Sequence, residues 1–129
     1  MNTSCAIYIV DDDESVRTAL GRLLRSCDFN VEAFNSAREF LDFITPEAEG
    51  ILLLDIRMPS MDGFELQEKL NALGSRLKII FITAHAGEDD RERAMRAHAS
   101  GFLQKPFSDE VLLGLINALM PENAGGKGS

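Results

Sequence analysis

The chain alternates short β-forming runs with amphipathic stretches of helical period, five of each. That alternation is the feature that most limits its fold. Ala6–Val10 (AIYIV) reads as a buried strand, followed by a helix over Glu14–Ser26 that Asp12 or Asp13 caps. Val16, Ala19, Leu20, Leu23 and Leu24 share one face of that helix, with Arg17, Arg22 and Arg25 on the other. Val31–Phe34 reads as the second strand. Ser36 and Glu39 have capping-box spacing for a helix through Ile44, which Pro46 stops. Ile51–Leu54 (ILLL) is a fully apolar third strand, and a loop containing Pro59 follows it. Asp62 and Glu65 form a second capping box, for a helix to about Ala72. Ile79–Thr83 (IIFIT) is the fourth strand, Glu88–Ala97 a charged helix, Phe102–Leu103 a short fifth strand, and Ser108 caps a last helix to Met120. Apolar runs without strict alternation belong to strands covered on both faces. The expected architecture is therefore α/β, a doubly wound sandwich on a parallel sheet, with its functional crevice beyond the carboxyl ends of the strands.

Those strand ends carry distinct polar residues. Strand one ends in Asp11-Asp12, strand three in Asp55, strand four in Thr83, and strand five runs into Lys105-Pro106. Taken singly, each has an ordinary role as a helix cap, turn acid, strand-end hydroxyl or surface lysine. Their co-occurrence at four strand ends is what points to chemistry. Three converging carboxylates repel one another unless a cation joins them. An all-oxygen donor set suits Mg²⁺ (or Mn²⁺), which usually also meets phosphate oxygens. With Lys105 as a further cation and Thr83 as a hydroxyl donor, the set matches phosphoryl transfer, with a carboxylate as nucleophile.

At 129 residues the chain is expected to be one domain, over residues 1–120. Residues 121–129 (PENAGGKGS) read as a flexible tail or linker remnant. The net charge of −8 argues against nucleic-acid binding, which needs a basic face. The surplus is lopsided: residues 1–65 hold 13 acids and 5 bases, residues 66–129 hold 8 of each. The apolar run before Asp11 is too short for a membrane span or a signal peptide, so no membrane association and a cytoplasmic location are expected. Cys5 and Cys27 have no metal-ligand or CxxC spacing and are expected as buried, reduced thiols. No Gly-rich phosphate loop, GxSxG or HExxH occurs, and His85 and His98 stand alone, which gives no zinc site.

IVDDD at 9–13, LLLDIRMPSMDGFEL at 52–66, FITAH at 81–85 and GFLQKPF at 101–107 resemble the motifs of a bacterial response-regulator receiver domain, at matching spacing. The likeness runs from about Ala6 to Met120 and is most similar to receivers of the nitrogen-fixation-regulator type, whose output domain is a helix-turn-helix. The resemblance implies a flavodoxin-like sheet of order 2-1-3-4-5. It implies that Asp55 accepts a phosphoryl group from a sensor histidine kinase. It implies Mg²⁺ on Asp12, Asp55 and the Arg57 backbone carbonyl, with Asp11 acting mainly through water, and Lys105 on the phosphoryl oxygens. Thr83 and Phe102 correspond to the switch pair, Lys105-Pro106 to a cis peptide, and Arg57 and His85 to positions that tune the phosphate lifetime. The chain would then be a self-phosphorylating and self-dephosphorylating switch rather than an enzyme with a separate substrate. His98 departs from the pattern, standing where the family often has a glycine in the turn before strand five.

The last helix carries a surplus of apolar surface. Val111, Leu112, Leu113, Leu115, Ile116, Leu119 and Met120 cover roughly 200° of a helical wheel, wider than the stripe one sheet needs. With the family's output face in mind, dimerisation or docking favoured by phosphorylation is expected on the face of helix 4, strand 5 and helix 5, a homodimer being one form of it. Two other functions compete with the phospho-acceptor. An Asp-nucleophile, Mg²⁺-dependent phosphohydrolase needs a second acid two residues after the nucleophile, where this chain has Arg57. A receiver that only binds protein needs none of the site residues, all of which are present.

Overall fold

The computed structural model describes residues 6–120. The tail expected over 121–129, and Cys5, lie outside the described residues. Ten elements follow in strict alternation: β1 (Ala6–Val10), α1 (Glu14–Ser26), β2 (Asn30–Phe34), α2 (Ala37–Phe43), β3 (Ile51–Leu54), α3 (Gly63–Ala72), β4 (Lys78–Thr83), α4 (Asp90–Arg96), β5 (Gly101–Gln104) and α5 (Asp109–Leu119). All neighbouring strands pair in parallel, in the order β2-β1-β3-β4-β5. The chain moves outward from β1 to β2, then returns past β1 to build β3, β4 and β5. The reversal opens a crevice at the carboxyl ends of β1 and β3.

Alternate residues of the central strands feed two cores. Tyr8, Val10, Leu52, Leu54 and Phe81 point to the side covered by α2, α3 and α4 through Phe40, Phe64, Leu70 and Ala94. Ile7, Ile9, Ile51, Leu53, Ile80 and Ile82 point to the other side, against Leu20 and Leu24 of α1 and Leu112 and Ile116 of α5. Full burial of one such side chain is worth about 1.5–3 kcal/mol, so the apolar runs that define the strands also supply the stability that holds their ends in place. β2 is the exception. It is an edge strand with Asn30, Glu32 and Ala33 exposed, and only Phe34 fully joins the core.

The helix starts follow their caps. Asp13 caps α1 by accepting the Ser15 N–H, and Asp62 and Glu65 complete a reciprocal capping box at α3. Ser36 accepts the Glu39 N–H as expected, but Glu39 reaches back to the Asn35 N–H rather than to Ser36, so that box is displaced by one residue. α4 begins two residues later than its charge pattern suggests. The Asp90 N–H bonds the Gly87 carbonyl and the Asp90 carboxylate takes the Gly87 N–H, so residues 87–89 wind as a turn. α4 ends in a Schellman arrangement, with Ala99 N–H on Ala94 O and His98 N–H on Met95 O. His98 itself takes φ +78°, the left-handed conformation that glycine adopts more easily, and its side chain stays in water.

Three expectations need correction. Cys27 is exposed, not buried: α1 ends at it, its N–H turns back to Leu24 O, and its side chain stays outside. Ala19 lies at the rim of the α1 face and is exposed as well. The broad apolar arc of α5 is mostly absorbed by its own domain, with Leu113, Leu115, Leu119 and Met120 half-buried and only Val111 strongly exposed at 51%. Among the described residues no helix is long and apolar enough to cross a membrane.

Candidate functional site

The ladder of the sheet runs one residue past β1 and β3, and this places the acids. Asp11 donates its N–H to Phe34 O, and Asp55 donates its N–H to Val10 O at 3.0 Å. The two carboxylates therefore leave adjacent parallel strands at the same level. Asp12 follows Asp11 into the open crevice. Carboxylate oxygens of Asp11, Asp12 and Asp55 all lie within 4.8 Å of one another. Asp11 and Asp55 are buried, and Asp12 faces water.

The β1–α1 connection is held by polar contacts to Asp11. Its carboxylate accepts the Asp13 N–H at 2.9 Å, and its carbonyl accepts Arg17 from the first turns of α1 at 2.8 Å. Lys105 closes the far side, with Nζ 3.3 Å from Asp11 Oδ2. Its backbone N–H bonds Thr83 O at 2.8 Å, and the Lys105-Pro106 peptide is cis, as the resemblance implied.

Burial sets the electrostatics. It pushes the Asp55 carboxyl up to about 6, and the neighbouring charge of Asp11 adds to the rise, which Lys105 opposes and Asp12 reinforces. Three acids so close, with one raised, form a donor set for a hard divalent cation. Thr83 gives a second sign of an incomplete site: it is fully buried, and its Oγ1 has no hydrogen-bond partner. A buried hydroxyl without a partner is uncommon and costs free energy.

The structure thus brings together Asp11, Asp12, Asp55 and Lys105. Thr83 stands on the strand next to β3, with Phe102 on β5 paired in register with Phe81. Phe102 is buried at 8% exposure and packs on the Phe81 ring at 6.3 Å. Arg57 is not turned into the cluster: its guanidinium lies 2.6 Å from Asp90 of α4. His85 is exposed. Sequence reasoning passed over Arg17, Asp90, and the buried Gln67, whose amide donates to Ala94 O and Ala97 O at the end of α4. A glutamine among apolar residues on a buried helix face was the available signal for the last of these.

Residues 7–117 match the family model of the response regulator receiver domain. The chain belongs to that family. As a receiver domain it is similar to the response regulator protein TodT of Pseudomonas putida, with 45% identity over 88% of this chain and 50% of the relative. It is 36% identical to the transcriptional regulatory protein FixJ of Azorhizobium caulinodans, over 96% of this chain and 59% of FixJ. The solved structure of the response regulator StyR superposes with a TM-score of 0.84 at 47% identity, covering 90% of this chain and 59% of StyR. The chain spans about half the length of these curated relatives. It is a receiver domain of the two-component response regulators, a signalling regulator with a flavodoxin-like sheet.

Proposed function

We propose that Asp55 is the phospho-acceptor of this receiver, taking its phosphoryl group from a phosphohistidine of a sensor histidine kinase. The reading rests on one observation above all: a buried carboxylate at a strand end, with two further carboxylates within 4.8 Å and an ammonium on one of them. Asp11, Asp12, Asp55 and the Arg57 backbone carbonyl are the groups that would hold Mg²⁺ or Mn²⁺, and the set of hard oxygen donors fits such an ion. The ion supplies neutralisation of negative charge at the crevice when bound. An ionised Asp55 oxygen forms the bond to phosphorus as the phosphorus–nitrogen bond of the phosphohistidine breaks, and the electron pair leaves with the imidazole. With its carboxyl near 6, Asp55 is mostly ionised at neutral pH. Lys105 is placed to pair with a phosphoryl oxygen, and the Thr83 hydroxyl gains an acceptor only once the group has arrived. That difference in contact is what a population shift requires. Phe102, on β5 and packed on the Phe81 ring two residues before Thr83, is the side chain that follows it, and Arg57 and His85 flank the phosphoryl group and set its lifetime.

Incubation with acetyl phosphate and Mg²⁺, followed by intact-mass measurement, tests the reading. One base-labile phosphoryl adduct, absent from Asp55→Asn, is the expected result. An adduct that survives that substitution, or none with the wild-type chain, overturns it. Turnover of free phosphomonoesters would make the protein a phosphohydrolase instead.

Output through the face of α4, β5 and α5 is supported by Met95 and Val111, which are both exposed on it. We propose that phosphorylation favours pairing of two copies there. A sedimentation coefficient unchanged by the phosphoryl group would remove that part of the proposal. The relatives named as response and transcriptional regulators support transcriptional control as the final output, and this acidic domain itself is not the part that binds DNA.

A further inference from the structure

Arg57 is the second residue after Asp55, so its backbone lies within about 7 Å of the acceptor residue. Its long side chain is half-exposed and leaves the crevice for α4, where NH2 sits 2.6 Å from Asp90 Oδ2. The same carboxylate oxygen accepts the Gly87 N–H at 2.6 Å. One oxygen therefore ties the loop that carries Asp55 to the turn after β4 and to the first residue of α4. The neighbouring acids Glu88 and Asp89 are exposed, whereas the Asp90 side chain is turned inward at 15% exposure.

We infer that Asp90 is a positioning residue for Arg57: it holds the guanidinium on α4 while Asp55 is unmodified, and a phosphoryl group on Asp55 competes with it for that guanidinium. The inference rests on the phospho-acceptor reading of Asp55. Ion pairs with one partner in water are individually weak. A phosphoryl group brings nearly two negative charges and three acceptor oxygens, and a planar guanidinium engages two such oxygens at once. Bridging both anions with one arginine draws the Asp90 carboxylate toward the phosphoryl charge, so like-charge repulsion separates them. When Arg57 turns to the phosphoryl oxygens, Asp90 loses its cation and the start of α4 loses its tie to the Asp55 loop. Lys105 does not replace that tie, since it is engaged on the opposite side with Asp11. Linkage makes the effect reciprocal: the factor by which the Arg57–Asp90 pair weakens phosphoryl binding is the factor by which the bound phosphoryl group weakens the pair.

The test is a titration of the full 129-residue chain with fluoroberyllate, a phosphoryl mimic, in saturating Mg²⁺. It is followed by amide NMR and run on wild type, Asp90→Asn, Arg57→Ala and the double variant. Asp90→Asn keeps an oxygen for the Gly87 N–H and removes only the charge that holds Arg57. The expected result is a Kd about three- to fivefold tighter for Asp90→Asn, on the scale of one half-exposed ion pair. In the Arg57→Ala background the same substitution changes nothing. In wild type the Gly87 amide resonance moves toward its Asp90→Asn position as the mimic binds. An unchanged Kd for Asp90→Asn, or an equal tightening without Arg57, overturns the inference and leaves the phospho-acceptor reading standing. A wild-type chain that does not bind fluoroberyllate at all defeats both.

Discussion

Lys105 and Asp11 are 94 residues apart in the chain and are joined by a hydrogen bond of 3.3 Å between ammonium and carboxylate. The carboxylate is 4% exposed and the lysine 24%, so the pair stands at the inner wall of the crevice rather than on the surface.

Removing the ammonium leaves Asp11 buried beside Asp55 without its partner. Breaking a well-buried pair on one side costs about 3–5 kcal/mol. The partial exposure of Lys105 screens this, and Lys105→Met is expected to lose roughly 1–2 kcal/mol at pH 7.5 without divalent ions. Mg²⁺ restores part of the loss by taking over the neutralisation. Urea unfolding with and without the ion measures both, and an unchanged midpoint would show that the pair carries no stabilisation.

Stability should depend on pH through Asp55. Its carboxyl is near 6 in the folded chain against an ordinary value of 3.8. The folded state therefore binds the proton more tightly, and stability falls as pH rises through about 6. A shift of that size corresponds to at most about 3 kcal/mol, and the open crevice reduces it to roughly 1–2. Asp55→Asn is expected to be more stable than wild type by that amount at pH 7.5 in EDTA, with the advantage gone by pH 4. Equal pH profiles for the two proteins would contradict the assigned origin of the shift.

Thr83→Val should separate stability from switching. The Thr83 hydroxyl is buried without a partner, and valine has the same shape without the polar atom. The variant is expected to gain about 1 kcal/mol, the lower end of the cost of an unsatisfied buried group. It should also lose the shift of the Phe102 amide that fluoroberyllate induces. Thermal unfolding and amide spectra read the two effects. A variant that is clearly destabilised would mean that the hydroxyl has a partner in the resting state.

Gly63 controls how closely α3 approaches the loop that follows Asp55. Its N–H bonds Ile56 O at 2.9 Å. A Cβ there would press on Asp55 O and lie 3.0 Å from both Ile56 Cα and the Phe81 ring. Two of those three neighbours are backbone, so the loop must move. Gly63→Ala is expected to cost about 1–3 kcal/mol, in line with other overpacked sites, and to slow phosphorylation by acetyl phosphate. Wild-type stability together with a wild-type rate would show that α3 slides freely on this loop.

The strands and most caps were legible because their signals are local. ILLL at 51–54 leaves little choice but a buried strand, and Asp62 with Glu65 forms the reciprocal box that the three-residue spacing indicates. Strand ends moved by one residue, as at Asn30, Lys78 and Gly101, because pairing with a neighbour extends a strand past its apolar run. Asp11, Asp12, Asp55 and Lys105 were readable because a parallel sheet gathers its strand ends in one place. Arg57 with Asp90 was not: the two are 33 residues apart, and either could have been an ordinary surface charge. Cys27 misled because its burial depends on where α1 stops, and that is decided by the turn through Asp28 at φ +69°.

The two ends of α4 are held by different physics. At its C-terminal end, Gln67 and Asn71 of α3 donate neutral amide hydrogen bonds to Ala94 O and Ala97 O. At its N-terminal end the tie to the loop after β3 is an ion pair with one partner in water. Dissolved salt screens the second and leaves the first almost untouched. Ionic strength therefore loosens this helix mainly from its N-terminal end, and the electrolyte around the protein becomes part of how firmly α4 is seated on the sheet.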